Sequence, residues 1–263
     1  MSLKALIFDV DGTLADTERD GHRIAFNLAF AEAGLDWHWD VPLYGELLAV
    51  TGGKERMHHY VERYRPDYRR PDDFTALVAR LHAAKTEHYT RLLAEGGIPL
   101  RPGVLRLLKE ARADGLRLAI ATTTTPANVD ALLASAIGPD GKQWFEVIGA
   151  GDVVPKKKPA PDIYFYVLER MGLKPEECLA FEDSENGIRS ANAAGLPTVV
   201  TINDYTHTHR FDDALVVLDH LGEPHAPCRV VEGGVSLKYV DVAALRRLHV
   251  DAQKLKRPGA AAH

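Results

Sequence analysis

Two aspartates one residue apart, Asp9 and Asp11, stand in the stretch DVDGTLADTE at residues 9–18, directly after the apolar run ALIF. Far along the chain come four consecutive hydroxyls, Thr122, Thr123, Thr124 and Thr125. A lysine triplet follows, Lys156, Lys157 and Lys158, and then the acidic pair Glu182 and Asp183. Carboxylates brought together repel and raise one another's pKa unless something positive sits among them. An all-oxygen carboxylate set favours a hard cation such as Mg²⁺, which binds through one or two carboxylates, waters and phosphate oxygens. Hydroxyls and a lysine supply the donors and the point charge of a phosphate site. The set therefore points to phosphoryl transfer, with one aspartate as nucleophile and the other as acid and base.

Such chemistry needs elements that bring these residues to one place. Residues 3–10, 116–121, 146–149, 178–181 and 197–202 read as short buried strands, bounded by glycine or turn residues. Helical patterns over 102–114, 126–135, 162–171 and 184–194 alternate with them, which predicts parallel βαβ units and an open α/β sheet. In such sheets ligands bind at the carboxyl ends of the strands. Asp9 and Asp11, the threonine row, and Glu182 and Asp183 each follow a strand, and the lysines follow the third, so all four groups fall on one sheet edge. Between about residues 17 and 95 no strand is legible. Four stretches there carry apolar residues at three- and four-residue steps with glycine at their ends, which predicts an all-helical insertion. The expected division is an α/β core of residues 1–16 and 96–263 and a helical unit of residues 17–95.

Composition restricts the function classes. The 263 residues are 46% hydrophobic and 26% charged with a formal net charge of −5, an ordinary globular profile without a global basic signal for nucleic acid. No apolar run approaches about 18 residues, so neither a signal peptide nor a membrane span is expected. Two cysteines, Cys178 and Cys228, make no disulfide framework, and a reduced, cytoplasmic setting is the simpler expectation. No stretch announces an assembly; a monomer is compatible with the sequence. RVVEGGVSLKYV reads as a hairpin around Gly233 and Gly234, DVAALRRLH as a helix, and the closing KRPGAAAH as disordered.

The four groups, taken in order, resemble the haloacid dehalogenase superfamily of phosphatases. DVDGT matches its DxDGT motif, ATTTT its strand-end Thr/Ser, KKKPAPDIY its lysine motif and FEDSENG its acidic metal motif. The helical insertion after the first motif resembles the superfamily's small cap. TLADTERDGHRIAFN, DWHWDVPLYGELLAVTGGKER, HAAKTEHY, ATTTTPANV and VVPKKKPAPDIY look like the CbbY-type subfamily, over about residues 3–222. That subfamily is linked to the Calvin cycle and hydrolyses xylulose-1,5-bisphosphate, an inhibitor of Rubisco.

The resemblance implies a Rossmann-like core, an inserted helical cap, Mg²⁺ as cofactor and a small sugar phosphate as substrate. It makes Asp9 the nucleophile and Asp11 the acid/base. It assigns Mg²⁺ to Asp9, the Asp11 carbonyl and Asp183, with Glu182 bound to the ion or just behind. Thr122 and Lys158 would hold the transferring phosphoryl group, Lys156 and Lys157 being surface charges. A bisphosphate's second phosphate must meet the cap, where Gly52, Gly53, Lys54 and Arg56 form an anion-binding turn into a helix. Glu18 is placed to accept from sugar hydroxyls. His82 and Lys85 lie i, i+3 on one face, and Thr123, Thr124 and Asn128 are further substrate candidates. The remaining histidines read as surface residues, Asp16 as solvated, and Trp37 and Trp39 as cap packing. A β-phosphoglucomutase-like mutase is the main alternative, sharing nucleophile, acid/base and cap. A dehalogenase would need no Asp11, a phosphonatase would need a cap lysine forming a Schiff base, and a non-enzymatic module would be expected to have lost Asp9, Asp11 or Asp183.

Overall fold

Ala5–Phe8, four buried apolar residues, form the first strand (β1) of a computed structural model that describes residues 2–255. Arg117–Ala121 (β2), Val147–Gly149 (β3), Cys178–Glu182 (β4), Thr198–Thr201 (β5), Val216–Leu218 (β6) and Val230–Glu232 (β7) complete one sheet in the order β3-β2-β1-β4-β5-β6-β7. The first six strands are parallel, and β7 is antiparallel at the edge. Side chains alternate across β1. Leu6 and Phe8 face the helices Val104–Ala113 (here α5), Pro126–Ala136 (α6) and Val242–Leu255 (α9). Ala5 and Ile7 face Asp162–Met171 (α7) and Glu185–Ala193 (α8). Burial on both faces explains why the parallel strands read as unbroken apolar runs.

Among the described residues every element between β1 and α5 is helical: a π-turn at Glu18–His22, then Arg23–Glu32 (α1), Val41–Leu47 (α2), Gly53–Tyr64 (α3) and Phe74–Gly96 (α4). These elements build their own apolar cluster around Phe26, Phe30, Trp37, Trp39, Tyr44 and Tyr60, so the tryptophans are packing residues as expected. The chain enters and leaves this helical cap side by side: Arg101 N donates to Leu14 O at 2.8 Å, and Ala15 pairs with Leu100. Arg101 pins the crossing. Its buried guanidinium donates to the carbonyls of Gly12, Thr201 (3.1 Å), Ile202 and Asp219 (2.8 Å), and it pairs with Asp16 at 3.2 Å. Asp16 is therefore an ion-pair partner at the hinge and not merely solvated.

The tail departs from expectation in one respect. Among the described residues no second strand pairs with β7 around Gly233 and Gly234: β7 pairs with β6, and the reversal is closed by Cys228 N donating to Lys238 O at 2.7 Å. The chain beyond β7 runs back over the core, where Val235, Leu237 and Val240 pack on its main apolar cluster. The helix follows as expected (α9), while KRPGAAAH lies outside the described residues.

Candidate active site

Parallel strands end on one edge, so the residues that follow them converge. Phe8 is in register with Ile120 on one side and Phe181 on the other, which sets Asp9 between the ends of β2 and β4. Lys158 arrives from the segment after β3. Its Nζ donates to Asp9 Oδ1 at 2.7 Å, to Glu182 Oε1 at 2.6 Å and to the Ala121 carbonyl at 2.9 Å. Tyr164 on α7 donates to the same Glu182 oxygen. Ser184 caps α8 by accepting from Gly187 N at 3.2 Å, which leaves Asp183 free of capping and turned toward the cluster. Asn203, after β5, donates to Asp183 Oδ2 at 2.7 Å. Thr122 is buried beside them and, with Asp9, Asp11, Lys158 and Asp183, lines a cavity of about 280 Å³.

Asp9, Glu182 and Asp183 each present an oxygen within 4.8 Å of the others, all three buried. Burial first, then Glu182 and Asp11, push the Asp9 carboxyl up to about 7 against the pull of Lys158. Burial, Asp9 and Glu182 push Asp183 well above the usual carboxylate range. Three buried carboxylates thus face one ammonium, and Glu182 Oε2 has no donor among the described residues. A divalent cation held by oxygen would restore the charge balance that Lys158 alone leaves incomplete. The residues fit a Mg²⁺ ion.

Asp11 has a separate environment. Its Oδ1 accepts from Thr17 Oγ1 at 2.5 Å and from His22 Nε2 at 2.8 Å, and His22 Nδ1 accepts from Lys85 Nζ at 2.8 Å. Burial would raise the Asp11 carboxyl, but His22, Thr17 and Lys85 together hold it at about 2. Burial draws Lys85 down to about 8, against Asp11 and Glu18. His22 is 3% exposed and stacks on Tyr89 at 4.1 Å, so it is not a surface histidine. It turns inward because residues 18–22 form a π-turn, in which Arg23 N reaches Glu18 O. Such bulges gather at functional sites. Gly21 was the available signal: a Cβ there would lie 2.8 Å from the Tyr89 ring, so that face of the turn has no room for a side chain.

The cap supplies the facing wall. Glu18 Oε2 accepts from Tyr44 OH at 2.5 Å, and Tyr44 OH accepts from the buried Arg56 at 3.1 Å. A small recess of about 40 Å³ beside the main cavity is lined by Gly52, Gly53, Arg56, His82 and Lys85, with Thr123, Thr124 and Asn128 from the core. Gly52 takes a φ of +98° at the start of α3, and a Cβ on Gly53 would lie 2.8 Å from the His82 ring. Asn128 Nδ2 donates to Thr124 Oγ1 at 2.9 Å, leaving its Oδ1 buried without a donor among the described residues.

Lys54 does not join this recess. Its Nζ pairs instead with Asp152 of the core at 2.5 Å. Lys157 is no free surface charge either: it pairs with Glu55 of the cap at 2.7 Å and with Asp152 at 3.1 Å. Lys156 is exposed, as expected.

A family model described as haloacid dehalogenase-like hydrolase matches residues 3–195. The chain is 53% identical to "Protein CbbY, plasmid" of Cupriavidus necator over 247 residues, which cover 94% of this chain and 97% of that one. The chain belongs to the haloacid dehalogenase-like hydrolase family. Among solved family members, a CbbY from Rhodobacter sphaeroides in complex with phosphate is 46% identical, with a TM-score of 0.77 over 83% of this chain and 94% of that one. A mutant of that protein, in complex with xylulose-(1,5)bisphosphate, matches at 45% identity with the same TM-score and coverage. The parallel sheet with an inserted helical cap is this family's fold.

Proposed function

We propose that the chain is a Mg²⁺-dependent sugar-phosphate phosphatase that works through an aspartyl-phosphate and takes xylulose-1,5-bisphosphate as its favoured substrate. The arrangement that carries this reading is the pair of unlike carboxylates at the end of β1. Asp9 lies against Lys158 among buried acids, and Asp11 lies against His22. The likeness to CbbY proteins supports the choice of substrate. In this reading residues 1–16 and 96–263 serve as catalytic core and residues 17–95 as cap. Buried, unpaired Cys178 and Cys228 accord with a reducing, cytoplasmic setting, and a link to the Calvin cycle through a Rubisco inhibitor belongs to the same proposal.

Asp9 attacks phosphorus in line as the bond to the sugar oxygen breaks, and Asp11 gives that oxygen its proton. Asp11 is ionised in the free protein; the negative charge of a bound phosphate raises its affinity for the proton it must deliver. In the second half Asp11 takes a proton from the water that attacks the aspartyl-phosphate. Lys158 and Thr122 hold the transferring oxygens, and Lys158 pulls Asp9 toward its anionic form against the burial that opposes it. Asp9, Asp183 and the Asp11 carbonyl would hold the Mg²⁺, with Glu182 behind; when bound it would neutralise charge on the phosphoryl group. In the cap, Glu18 accepts from sugar hydroxyls, and Arg56, His82 and Lys85 with the Gly52–Gly53 turn receive the second phosphate. Phosphate release across pentulose and hexose mono- and bisphosphates tests this reading, with xylulose-1,5-bisphosphate expected to rank first. Asp9→Asn is expected to abolish release while the variant still folds; turnover surviving in that variant would overturn the mechanism.

A further inference from the structure

Tyr205 belongs to the core loop after β5, yet its ring packs with the cap's aromatic cluster. It meets the Tyr44 ring edge-on at 6.0 Å, and a Cβ on Gly45 would come within 3.1 Å of it. At its other end the loop is tied to the acidic site. Tyr205 N donates to Asn203 Oδ1 at 2.9 Å, Asn203 Nδ2 donates to Asp183, and Asn203 N donates to Thr206 Oγ1 at 3.0 Å. Beyond Tyr44 the path continues through its hydroxyl to Glu18 and Arg56. Tyr205 and Glu18 also form a common wall between the main cavity and an outer one of about 390 Å³ near the hinge.

We propose that Tyr205 is a substrate-positioning residue: its ring wedges between the Asp183 side of the core and the Tyr44–Glu18–Arg56 array of the cap, fixing that array over the sugar. The assignment rests on the functional reading above, in which Glu18 and Arg56 meet the sugar phosphate. Tyr44 has spent its one proton on Glu18, so the direction of the Glu18 carboxylate depends on where the Tyr44 ring stands. That ring is fully buried, and Tyr205 packs on it from the core. The Tyr205 hydroxyl is buried without a partner among the described residues, so the wedge acts through its ring and not through a hydrogen bond. A displacement of the ring reaches the sugar site without touching Asp9, Asp11 or Lys158, and it affects binding more than chemistry.

The test compares two substrates in each variant: the sugar phosphate that the wild type turns over best, and p-nitrophenyl phosphate, which has no hydroxyls for Glu18. Tyr205→Ala is expected to raise KM for the sugar phosphate about tenfold with kcat within about twofold, and to leave KM for the aryl phosphate unchanged. Tyr205→Phe keeps the wedge and is expected to match the wild type on both. Gly45→Ala pushes on the ring from the cap side; it is expected to raise the sugar KM severalfold without lowering Tm, since alanine favours α2. Equal shifts for both substrates, or a Phe variant as impaired as the Ala variant, would overturn the assignment. A wild type that splits the aryl phosphate but no sugar phosphate would overturn the functional reading, and this assignment with it.

Discussion

Gly187 sits in the first turn of α8, directly under the buried carboxylate of Glu182. A Cβ there would lie 1.9 Å from Glu182 Oε2 and 2.3 Å from its Cδ. Neither contact is possible, so Gly187→Ala must turn the Glu182 carboxylate away and separate Oε1 from Lys158 and Tyr164. Breaking a buried, hydrogen-bonded ion pair costs about 3–5 kcal/mol. Alanine in place of glycine returns about 1 kcal/mol of helix propensity. The net loss is about 2–4 kcal/mol, a fall in Tm on the order of 5–15 °C for a chain of this size. Lys158, freed from one of its two carboxylates, no longer holds its place over Asp9. Phosphate release is expected to fall about a hundredfold, the usual effect of a displaced catalytic group. Calorimetry and a phosphate-release assay measure both effects. Gly96→Ala is the control, because nothing lies within 4 Å of a Cβ at that helix end, and it is expected to melt no lower than the wild type. Adding Glu182→Asp, which withdraws the carboxylate by one methylene, is expected to recover part of the lost stability. A Gly187→Ala variant with wild-type Tm and undiminished kcat would refute the reasoning.

Three further outcomes are expected. Lys157→Met removes one ion pair from core to cap, with Glu55, and one within the core, with Asp152, each worth up to about 1 kcal/mol; KM for the sugar phosphate should rise severalfold, and less so in high salt, as a titration of KM against NaCl would show. His82 is held at about 4 by burial first, then by Lys85, Lys54 and Lys157, with Asp152 opposing. Its folded pKa lies below the unfolded value near 6.5, so the stability it contributes is present above that pH and is lost as pH falls toward 4. The wild type should therefore lose about 2 kcal/mol more than His82→Gln between pH 6.5 and 5 in urea titrations. Millimolar MgCl₂ should raise Tm over an EDTA-treated sample, and Asp183→Asn should abolish that rise in a thermal-shift assay.

The strand ends were legible because parallel strands buried on both faces leave continuous apolar runs, and the residues next after each run must lie on one edge. That is why Asp9, Thr122, Lys158 and Asp183 could be gathered from the sequence alone. Lys158 stood out from its two neighbours only through the proline after it. His22 was missed because a helix of ordinary pitch turns residue 22 elsewhere, and only the extra residue of a π-turn brings it onto Asp11. Arg101 was missed because its partners are mostly backbone carbonyls from three separated segments, which leave no trace in residue types. Lys54 finds a partner that the sequence did not reveal, for a related reason. Its type suits an anion, but its direction from the first turn of α3 is set by Asp152, nearly a hundred residues away. Pairings of that range lie beyond local pattern.

The neighbours Lys157 and Lys158 face opposite ways, one holding the cap through Glu55 and the other the nucleophile through Asp9. The two modules are consequently not interchangeable parts. A chimera that grafts a relative's cap onto this core would keep its helices and its hinge, yet would lose the acid that Lys157 grips unless Glu55 travelled with it. A segment meant to keep Lys158 in place would then be pulled from one side only. Exchange of substrate range between relatives should succeed when residues 52–55 and 152–158 are transplanted as one unit, and fail when either piece moves alone.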